Sequence, residues 1–366
     1  LSLILSIATS INSTAMASKK RSTTKSQYTL ITKGVTPETQ KLYSNLAALQ
    51  GEAILFGQHF ANTMGREFTD WKQTQHKCDM KESVGDYPVL FGFDFGRGFD
   101  IQLDAVKEAA RMSGVITFSD HIPNPYAPKS YKHLKERSFE EIKSVLPGGE
   151  HHAYLLERLD QTADFANKAV LNGRKIPIIY RPWHEHTGDW FWWGSESGTE
   201  AEYIALWRFT VEYLRDTKGV DNFIYAYSPS YIVREKAYSL RNPGAEYFDI
   251  AGIDLYTNAK ENESELYVGA TNLIVDYAEK HNKIAALTEF GYRAGVQNSD
   301  NPKWFTDTFL NPVLRSEKGG KIVYALTWRN SPKAHWVPAK GELTYDNFVE
   351  FSSNPYILFL EEWKKR

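Results

Sequence analysis

Short apolar runs alternate with longer amphipathic segments along most of the chain. Eight of the short runs have the length and β-branched composition of buried strands: 53–59, 88–95, 114–121, 176–181, 223–228, 249–256, 284–289 and 322–329. Between them, apolar residues recur at three- and four-residue spacing, which predicts helices over 103–112, 155–171, 202–217, 272–281 and 304–314. Strands that alternate with helices pair in parallel, and eight of them predict an α/β fold, the closed (β/α)8 TIM barrel.

An open, doubly wound sheet is the alternative fold for the same alternation. We disfavour it because no glycine-rich phosphate-binding turn follows the first predicted strand. No tandem repeat, low-complexity tract or linker interrupts residues 30–366. We therefore predict one (β/α)8 domain over residues 30–366, which is within the usual size of a single barrel.

The N-terminal region has a different composition. Residues 1–8 are apolar, and Ala15-Met16-Ala17 matches a small-x-small cleavage site. We expect residues 1–17 to be a secretory signal peptide whose start is missing, and we expect the protein to be secreted. Residues 18–29 carry four basic side chains among serines and threonines, which predicts a disordered leader.

The charge balance limits the class of partner. Lys and Arg total 43 against 45 Asp and Glu, a net charge of -2, so there is no electrostatic reason to expect a nucleic acid or an anionic membrane as partner. Four of the 10 tryptophans lie between Trp183 and Trp193, in a glycine-containing segment. Clustered aromatic rings of this kind predict an exposed platform for an uncharged ligand such as a sugar. Separately, we expect the protein to be a monomer.

Polar and aromatic side chains lie at the predicted strand ends. In this fold the carboxyl ends of all eight strands meet at one face, where the active site lies. The residues at these ends are His59, Asp94, His121, Glu185, Tyr227, Asp254, Tyr256, Glu289, Trp328 and Arg329.

Glu185 and Glu289 end the fourth and seventh predicted strands, so their side chains should face each other across the mouth of the barrel. Hydrolysis of a glycosidic bond needs two such carboxyl groups. A separation of roughly 5–5.5 Å favours a covalent, retaining route, and one of roughly 6.5–9.5 Å an inverting route.

A metal site is the competing interpretation of His184-Glu185-His186. Adjacent residues of a strand point to opposite faces, so His184 and Glu185 would not both point at one ion. The spacing also differs from the helical zinc pattern His-Glu-x-x-His. We therefore expect neither a metal nor another cofactor.

Two motifs resemble those of a known family. The run from Arg181 to Gly194, Arg-Pro-Trp-His-Glu-His-Thr-Gly-Asp-Trp-Phe-Trp-Trp-Gly, resembles the acid/base motif of the glycoside hydrolase family 26 β-mannanases. Thr288-Glu289-Phe290-Gly291 resembles the nucleophile motif of that family. Further similar blocks follow in the same order, so that the resemblance covers most of the chain: 91–94, 146–149, 227–229, 252–256 and 327–330.

The resemblance implies a retaining, endo-acting β-1,4-mannanase that cleaves mannan, glucomannan or galactomannan, and the expected signal peptide implies that it is secreted. Glu185 would be the acid/base and Glu289 the nucleophile. The resemblance also implies sugar contacts on both sides of the cleaved bond. His184 and Tyr256 would contact the sugar at the bond, Trp190 the sugar on the reducing side, and the remaining residues the non-reducing side, namely His121, Trp328 and Arg329.

Three departures from the family pattern leave the substrate preference open. Asp120 stands where tryptophan is frequent, His186-Thr187 replaces methionine-asparagine, and 242–245 departs from Tyr-Pro-Gly-Asp. An exo-acting mannobiohydrolase or a β-1,3-xylanase of the same family therefore remains an alternative. A non-catalytic carbohydrate-binding barrel and a metal-dependent hydrolase are alternatives from other classes.

Overall fold

The computed structural model describes residues 28–69, 77–232 and 234–366. The expected signal peptide and nearly all of the expected leader lie outside the described residues. At the end of that leader, Tyr28 packs together with Leu30 against the hydrophobic cluster that contains Tyr43 and Leu46.

Eight parallel strands form a closed barrel. They are β1 Ile54–His59, β2 Leu90–Asp94, β3 Val115–Ser119, β4 Ile178–Arg181, β5 Phe223–Tyr227, β6 Ile250–Thr257, β7 Ile284–Tyr292 and β8 Tyr324–Thr327. Each strand pairs with its neighbours in chain order, and β8 pairs with β1 from Leu55–Tyr324 to Gln58–Thr327. This closure confirms the predicted TIM barrel and excludes the open sheet.

Helices surround the barrel. They are α1 Pro37–Ala47, α2 Asp79–Val84, α3 Phe99–Arg111, α4 Glu141–Val145, α5 His152–Lys168, α6 Glu200–Glu212, α7 Glu235–Leu240, α8 Glu263–His281, α9 Asn311–Arg315, α10 Tyr345–Ser352 and α11 Leu360–Trp363. Two π-helical stretches, Tyr213–Thr217 and Trp304–Leu310, extend α6 and precede α9. No helix in the described ranges is long and apolar enough to cross a bilayer.

Alternate residues of each strand enter two different hydrophobic clusters. On β4, Ile178 and Tyr180 belong to the cluster that includes the surrounding helices, whereas Ile179 belongs to a smaller cluster shared with the other strands. Tyr43 and Leu46 of α1 join this smaller cluster. The period-two burial follows from the pleat of the strands, and α1 closes the end of the barrel opposite the strand C-termini.

An irregularity in β7 sets the direction of one key side chain. Ile253 pairs with Leu287, but the next residue of β6, Asp254, pairs with Glu289 and leaves Thr288 unmatched. The pairing of β7 with β8 shifts at the same place. A bulge of this kind bends the strand and redirects a side chain. Glu289 is therefore inside β7, three residues before its end, rather than at the end predicted from the sequence.

Candidate active site

Arg181, the last residue of β4, is the centre of a buried charge network. Its Nη1 atom lies 2.5 Å from Asp254 Oδ2 on β6, and its Nη2 atom pairs with Glu289 Oε1 on β7. Nη1 also donates to Ser228 Oγ at 3.2 Å. Because buried charges are stable only when they are paired and hydrogen-bonded, this network fixes the three side chains relative to one another.

Glu289 is held in its ionised form. Burial alone would raise its pKa, but the Arg181 guanidinium and then His59 outweigh burial and lower the pKa to about 2. His59 Nε2 is 3.2 Å from Glu289 Oε1, and the Tyr256 hydroxyl donates to Oε2 at 2.7 Å. Glu289 is thus a carboxylate whose oxygens are both oriented by neighbouring groups.

Glu185 does not end β4, as the sequence suggested, but lies four residues beyond it in a sharp turn. Trp183 and Glu185 have φ angles of 49° and 54°, in the left-handed region that side chains other than glycine rarely adopt. The Glu185 N–H donates to the Ser228 carbonyl at 2.8 Å and the Gly188 N–H to the Glu185 carbonyl at 3.0 Å. These bonds hold the turn that presents Glu185 to the same cleft as Glu289.

Glu185 has the opposite electrostatic environment to Glu289. Burial, followed by the negative charge of Glu289, raises the pKa of Glu185 to about 7. The Trp190 indole N–H donates to Glu185 Oε2 at 3.0 Å. At pH values between these two pKa values, the cleft therefore holds one carboxyl group that retains its proton and one that does not, the pairing expected of an acid and a nucleophile.

Two histidines line the cleft beside the glutamates. Burial lowers the pKa of His121, but its ion pair with Asp94 on β2 outweighs burial and raises it overall. Burial, then the Arg181 charge, hold the pKa of His184 well below the usual range, so this ring is neutral. The two rings lie 4.7 Å apart between centroids, and the Trp193 indole N–H donates to the His184 carbonyl at 2.8 Å.

The cleft has a volume of about 800 Å³. Seven of the eight site residues predicted from the sequence line it: His121, His184, Glu185, Trp190, Tyr256, Glu289 and Trp328. The eighth, Arg329, does not line the cleft. It is half-buried, and burial followed by the charge of Arg97 lowers its pKa. It is also close enough to Tyr131, a residue of the cleft wall, for that side chain to influence its pKa. Of the four clustered tryptophans, Trp190 is exposed as predicted, but the expected exposed platform is wrong for the other three, because Trp183, Trp192 and Trp193 are buried.

Several residues in the cleft wall or behind it were not assigned a role from the sequence. His59 and Asp94 are buried behind the wall, where they contact Glu289 and His121. Their positions at strand ends marked them as polar residues of the rim without giving their roles. The others come from loops, where residue type alone gives no indication of direction, and they are Tyr131, Tyr231, Glu261, Arg293 and Trp336.

The histidines beside Glu185 separate in space. His184 lines the cleft, whereas the His186 ring is buried against Tyr203 at 4.2 Å between centroids. Within the described ranges, no group of three or more His, Cys, Asp or Glu side chains is arranged to hold a metal ion.

Comparison with known proteins gives one consistent family. Residues 31–300 match the model of glycosyl hydrolase family 26. The mannan endo-1,4-beta-mannosidase of Bifidobacterium adolescentis is 28% identical over 354 residues, which cover 87% of this chain and 34% of that relative. The chain thus spans about a third of that relative's length.

Solved structures are similar over nearly the whole chain. A modular endo-beta-1,4-mannanase from Cellulomonas fimi superposes with a TM-score of 0.85 at 33% identity, covering 92% of this chain and 78% of that one. The catalytic domain of the family 26 endo-beta-1,4-mannanase of Bacillus sp. JAMB-750 gives a TM-score of 0.84 at 32% identity, covering 92% of this chain and 95% of that one. With the family model spanning most of the barrel, the chain belongs to glycosyl hydrolase family 26.

Proposed function

We propose that the protein is an endo-acting β-1,4-mannanase that hydrolyses mannan, glucomannan or galactomannan with net retention. The observation that carries the proposal is the pair of cleft carboxyl groups with opposed pKa values, raised to about 7 for Glu185 and lowered to about 2 for Glu289. One protonated and one ionised carboxyl group at a single site are what a two-step displacement at an anomeric carbon requires.

In the first step, a Glu289 oxygen forms a bond to the anomeric carbon while the bond to the leaving oxygen breaks. Glu185 gives its proton to that oxygen, so the shortened chain leaves as a neutral alcohol. In the second step, Glu185, now a carboxylate, takes a proton from water. The water oxygen bonds to the anomeric carbon and releases Glu289 as a carboxylate. Arg181 and Tyr256 stabilise Glu289 before the attack and after its release.

Substrate class is proposed from the relatives and from the walls of the cleft. The relatives are named as mannan endo-1,4-beta-mannosidases, and Trp190 and Trp328 supply indole rings for the apolar faces of sugars. In this proposal Trp190 contacts the sugar on the leaving-group side, and Trp328 with His121 the sugar on the other side. Arg329 is proposed to bind on that same side, although it does not line the cleft.

We also propose that the protein is secreted, which is supported by the apolar residues 1–8 and the Ala15-Met16-Ala17 site, and that it acts as a monomer. Fractionation of an expressing culture tests this, with activity in the medium expected and activity confined to the cells contradicting it. Light scattering of the purified protein reports the oligomeric state directly.

A product profile tests the activity itself. Purified protein is incubated with linear mannan, glucomannan, β-1,3-xylan and cellulose, with Glu289→Ala as the inactive control. We expect a range of manno-oligosaccharides to appear early, and the β-anomer to appear first in the proton NMR spectrum. Release of mannobiose alone would indicate exo action, cleavage of xylan alone a different specificity, and first appearance of the α-anomer an inverting route.

A further inference from the structure

Two long loops meet beside the catalytic cleft. The β3 loop, residues 120–140, runs from β3 to α4, and the β4 loop, residues 182–199, runs from β4 to α6. Tyr131 of the β3 loop lines the cleft, as do Glu185 and Trp190 of the β4 loop. The position of the proposed acid therefore depends on what holds these two loops together.

The two loops are joined by main-chain hydrogen bonds. The His133 N–H donates to the Trp190 carbonyl at 3.0 Å, and the Trp192 N–H donates to the Tyr131 carbonyl at 3.2 Å. A strand pair this short is only marginally stable by itself, so side chains must fix its position. The pairing matters for the site because it holds the backbone of Trp190.

Glu141, the first residue of α4, fixes the β3 loop. Its side chain is completely buried. Its Oε2 atom lies 2.5 Å from Nδ1 of His133. Its Oε1 atom accepts from the side-chain amide of Asn124 at 2.6 Å and from the Leu134 N–H at 3.0 Å. Because a buried carboxyl group is costly without hydrogen-bond partners, this arrangement favours a single conformation of the β3 loop.

His133 connects Glu141 to the β4 loop. Its Nδ1 atom also lies 3.2 Å from Oγ of Ser197, and the Ser197 hydroxyl donates to the Phe191 carbonyl at 3.1 Å. The His133 side chain is only 5% exposed, and its Nε2 atom makes no hydrogen bond to any residue that the structure describes. The ring is therefore oriented through Nδ1, and Glu141 is the nearer of its two partners there.

The side chain of Trp190 has little else to hold it. It is 43% exposed, and within the described ranges its one hydrogen bond joins the indole N–H to Glu185 Oε2 at 3.0 Å. Burial raises the pKa of Glu185, and this bond opposes that effect because it stabilises the ionised form. Neither Glu141 nor His133 lines the cleft, so both reach Glu185 only through the loops.

We propose that Glu141 and His133 are positioning residues for the acid, because together they hold Trp190 where its indole N–H reaches Glu185. The connection runs from the Glu141 carboxyl group to the His133 ring, and from the His133 N–H to the Trp190 carbonyl. The inference rests on the proposed mannanase activity, in which Glu185 protonates the leaving oxygen.

The pH profile of kcat/KM on mannan tests this proposal, because its basic limb follows the loss of the Glu185 proton. In Glu141→Ala, loss of the Trp190 bond should raise the pKa of Glu185, so the basic limb should move to higher pH by about 0.5–1 pH unit. The value of kcat/KM at the optimum should fall by about tenfold. Glu141→Gln keeps an acceptor oxygen for the two N–H donors and offers an N–H to the His133 ring. It should therefore stay within about twofold of wild type, with an unshifted limb.

Further variants separate positioning from stability. Trp190→Phe removes the indole N–H directly and should shift the limb as Glu141→Ala does, whereas the double variant should shift it no further. Asp249→Ala also removes a buried carboxylate that accepts from main-chain N–H groups, but at the opposite end of the barrel, so its limb should not move. His133→Phe is measured in parallel in case Glu141→Ala does not fold. It keeps an aromatic ring and the main-chain bond to Trp190 but loses the bond to Glu141, and it should shift the limb in the same direction.

The two proposals fail in different ways. Wild type without activity on mannan overturns the mannanase proposal and this one with it. Active wild type, with an unshifted limb in folded Glu141→Ala or His133→Phe, overturns only the positioning role. The same conclusion follows if the limb fails to move in Trp190→Phe or if the shifts add in the double variant, because either result removes Trp190 from the connection.

Discussion

Glu185 and Glu289 are the same residue type with opposite properties, and the difference lies in their neighbours. Glu289 faces a guanidinium, an imidazole and a phenol, and these outweigh the cost of burial. Glu185 faces an indole and the charge of Glu289, and nothing near it offsets burial to the same degree. Position alone thus raises the pKa of one glutamate and lowers the pKa of the other.

The acid role of Glu185 makes a prediction about leaving groups. In Glu185→Ala, substrates with poor leaving groups need the missing proton, so kcat/KM on mannan should fall by about 10³-fold. An activated aryl mannobioside, whose phenolate leaves unaided, should lose far less in the first step. Steady-state kinetics on both substrates check this, and an equal loss on both would contradict the acid role. Glu289→Ala is the control, since it should be inactive on either substrate.

The hydroxyl of Tyr256 should set the acid limb of the pH–rate profile. Tyr256→Phe removes the bond to Glu289 Oε2, so the pKa of Glu289 should rise from about 2 by about one unit. Since Glu289 must be ionised, the acid limb of kcat/KM moves to higher pH. The basic limb, set by loss of the Glu185 proton near pH 7, should stay in place.

The matched control for Tyr256→Phe is Tyr225→Phe. The Tyr225 hydroxyl is buried and makes no hydrogen bond among the described residues. Its removal should leave both limbs unchanged. An acid limb that does not move in Tyr256→Phe would show that Arg181 and His59 alone fix the ionisation of Glu289.

At the scale of elements, the sequence predicts what depends on periodicity and misses what depends on loops. All eight strands were predicted because apolar runs of that length have few other interpretations. The start of α8 at Glu263 was placed nine residues too late, because its first turn is polar and Gly269 interrupts the apolar spacing that follows. The Thr288 bulge and the left-handed turn at Glu185 have no periodic signature, yet they aim the two glutamates.

The loop after β4 is held by one side chain from a distant segment. Arg241 is buried, and its guanidinium reaches five main-chain carbonyls between His186 and Gly198 at 3.5 Å or less. No sequence pattern marks an arginine for this task. Because the loop carries Trp190, the geometry around Glu185 depends on this contact.

Replacing Arg241 by methionine should loosen that loop. The carbonyls left unpaired should lower the free energy of unfolding by about 3 kcal/mol, and kcat should fall as Trp190 loses its position beside Glu185. Arg208→Met is the control, since Arg208 donates to the single carbonyl of Pro243. Urea unfolding and steady-state kinetics measure both. Unchanged kcat in a destabilised Arg241→Met variant would limit Arg241 to a purely structural role.

At the scale of the whole molecule, the two ends of the barrel have different roles, one in catalysis and the other in stability. The carboxyl ends of the strands carry the cleft, whereas the opposite end is closed by α1 and the N-terminal segment. Asp249, just before β6, connects the strands to α1 and to the N-terminal segment at the closed end. Its Oδ1 accepts from the Ile31 N–H at 2.7 Å and its Oδ2 from the Tyr225 N–H at 2.9 Å. Its carbonyl accepts from the Tyr43 hydroxyl at 3.0 Å.

Asp249→Ala should therefore separate stability from catalysis. The change removes both carboxylate bonds and strands the buried Tyr225 N–H, so the free energy of unfolding should fall by about 2–4 kcal/mol. Below the new melting temperature, kcat and KM should match wild type, because no cleft residue moves. Asp221→Ala, which removes a partly exposed pair with Lys175, should cost about 1 kcal/mol or less. A matching loss of kcat in folded Asp249→Ala would mean that the closed end of the barrel also positions the cleft, and that the two ends do not act independently.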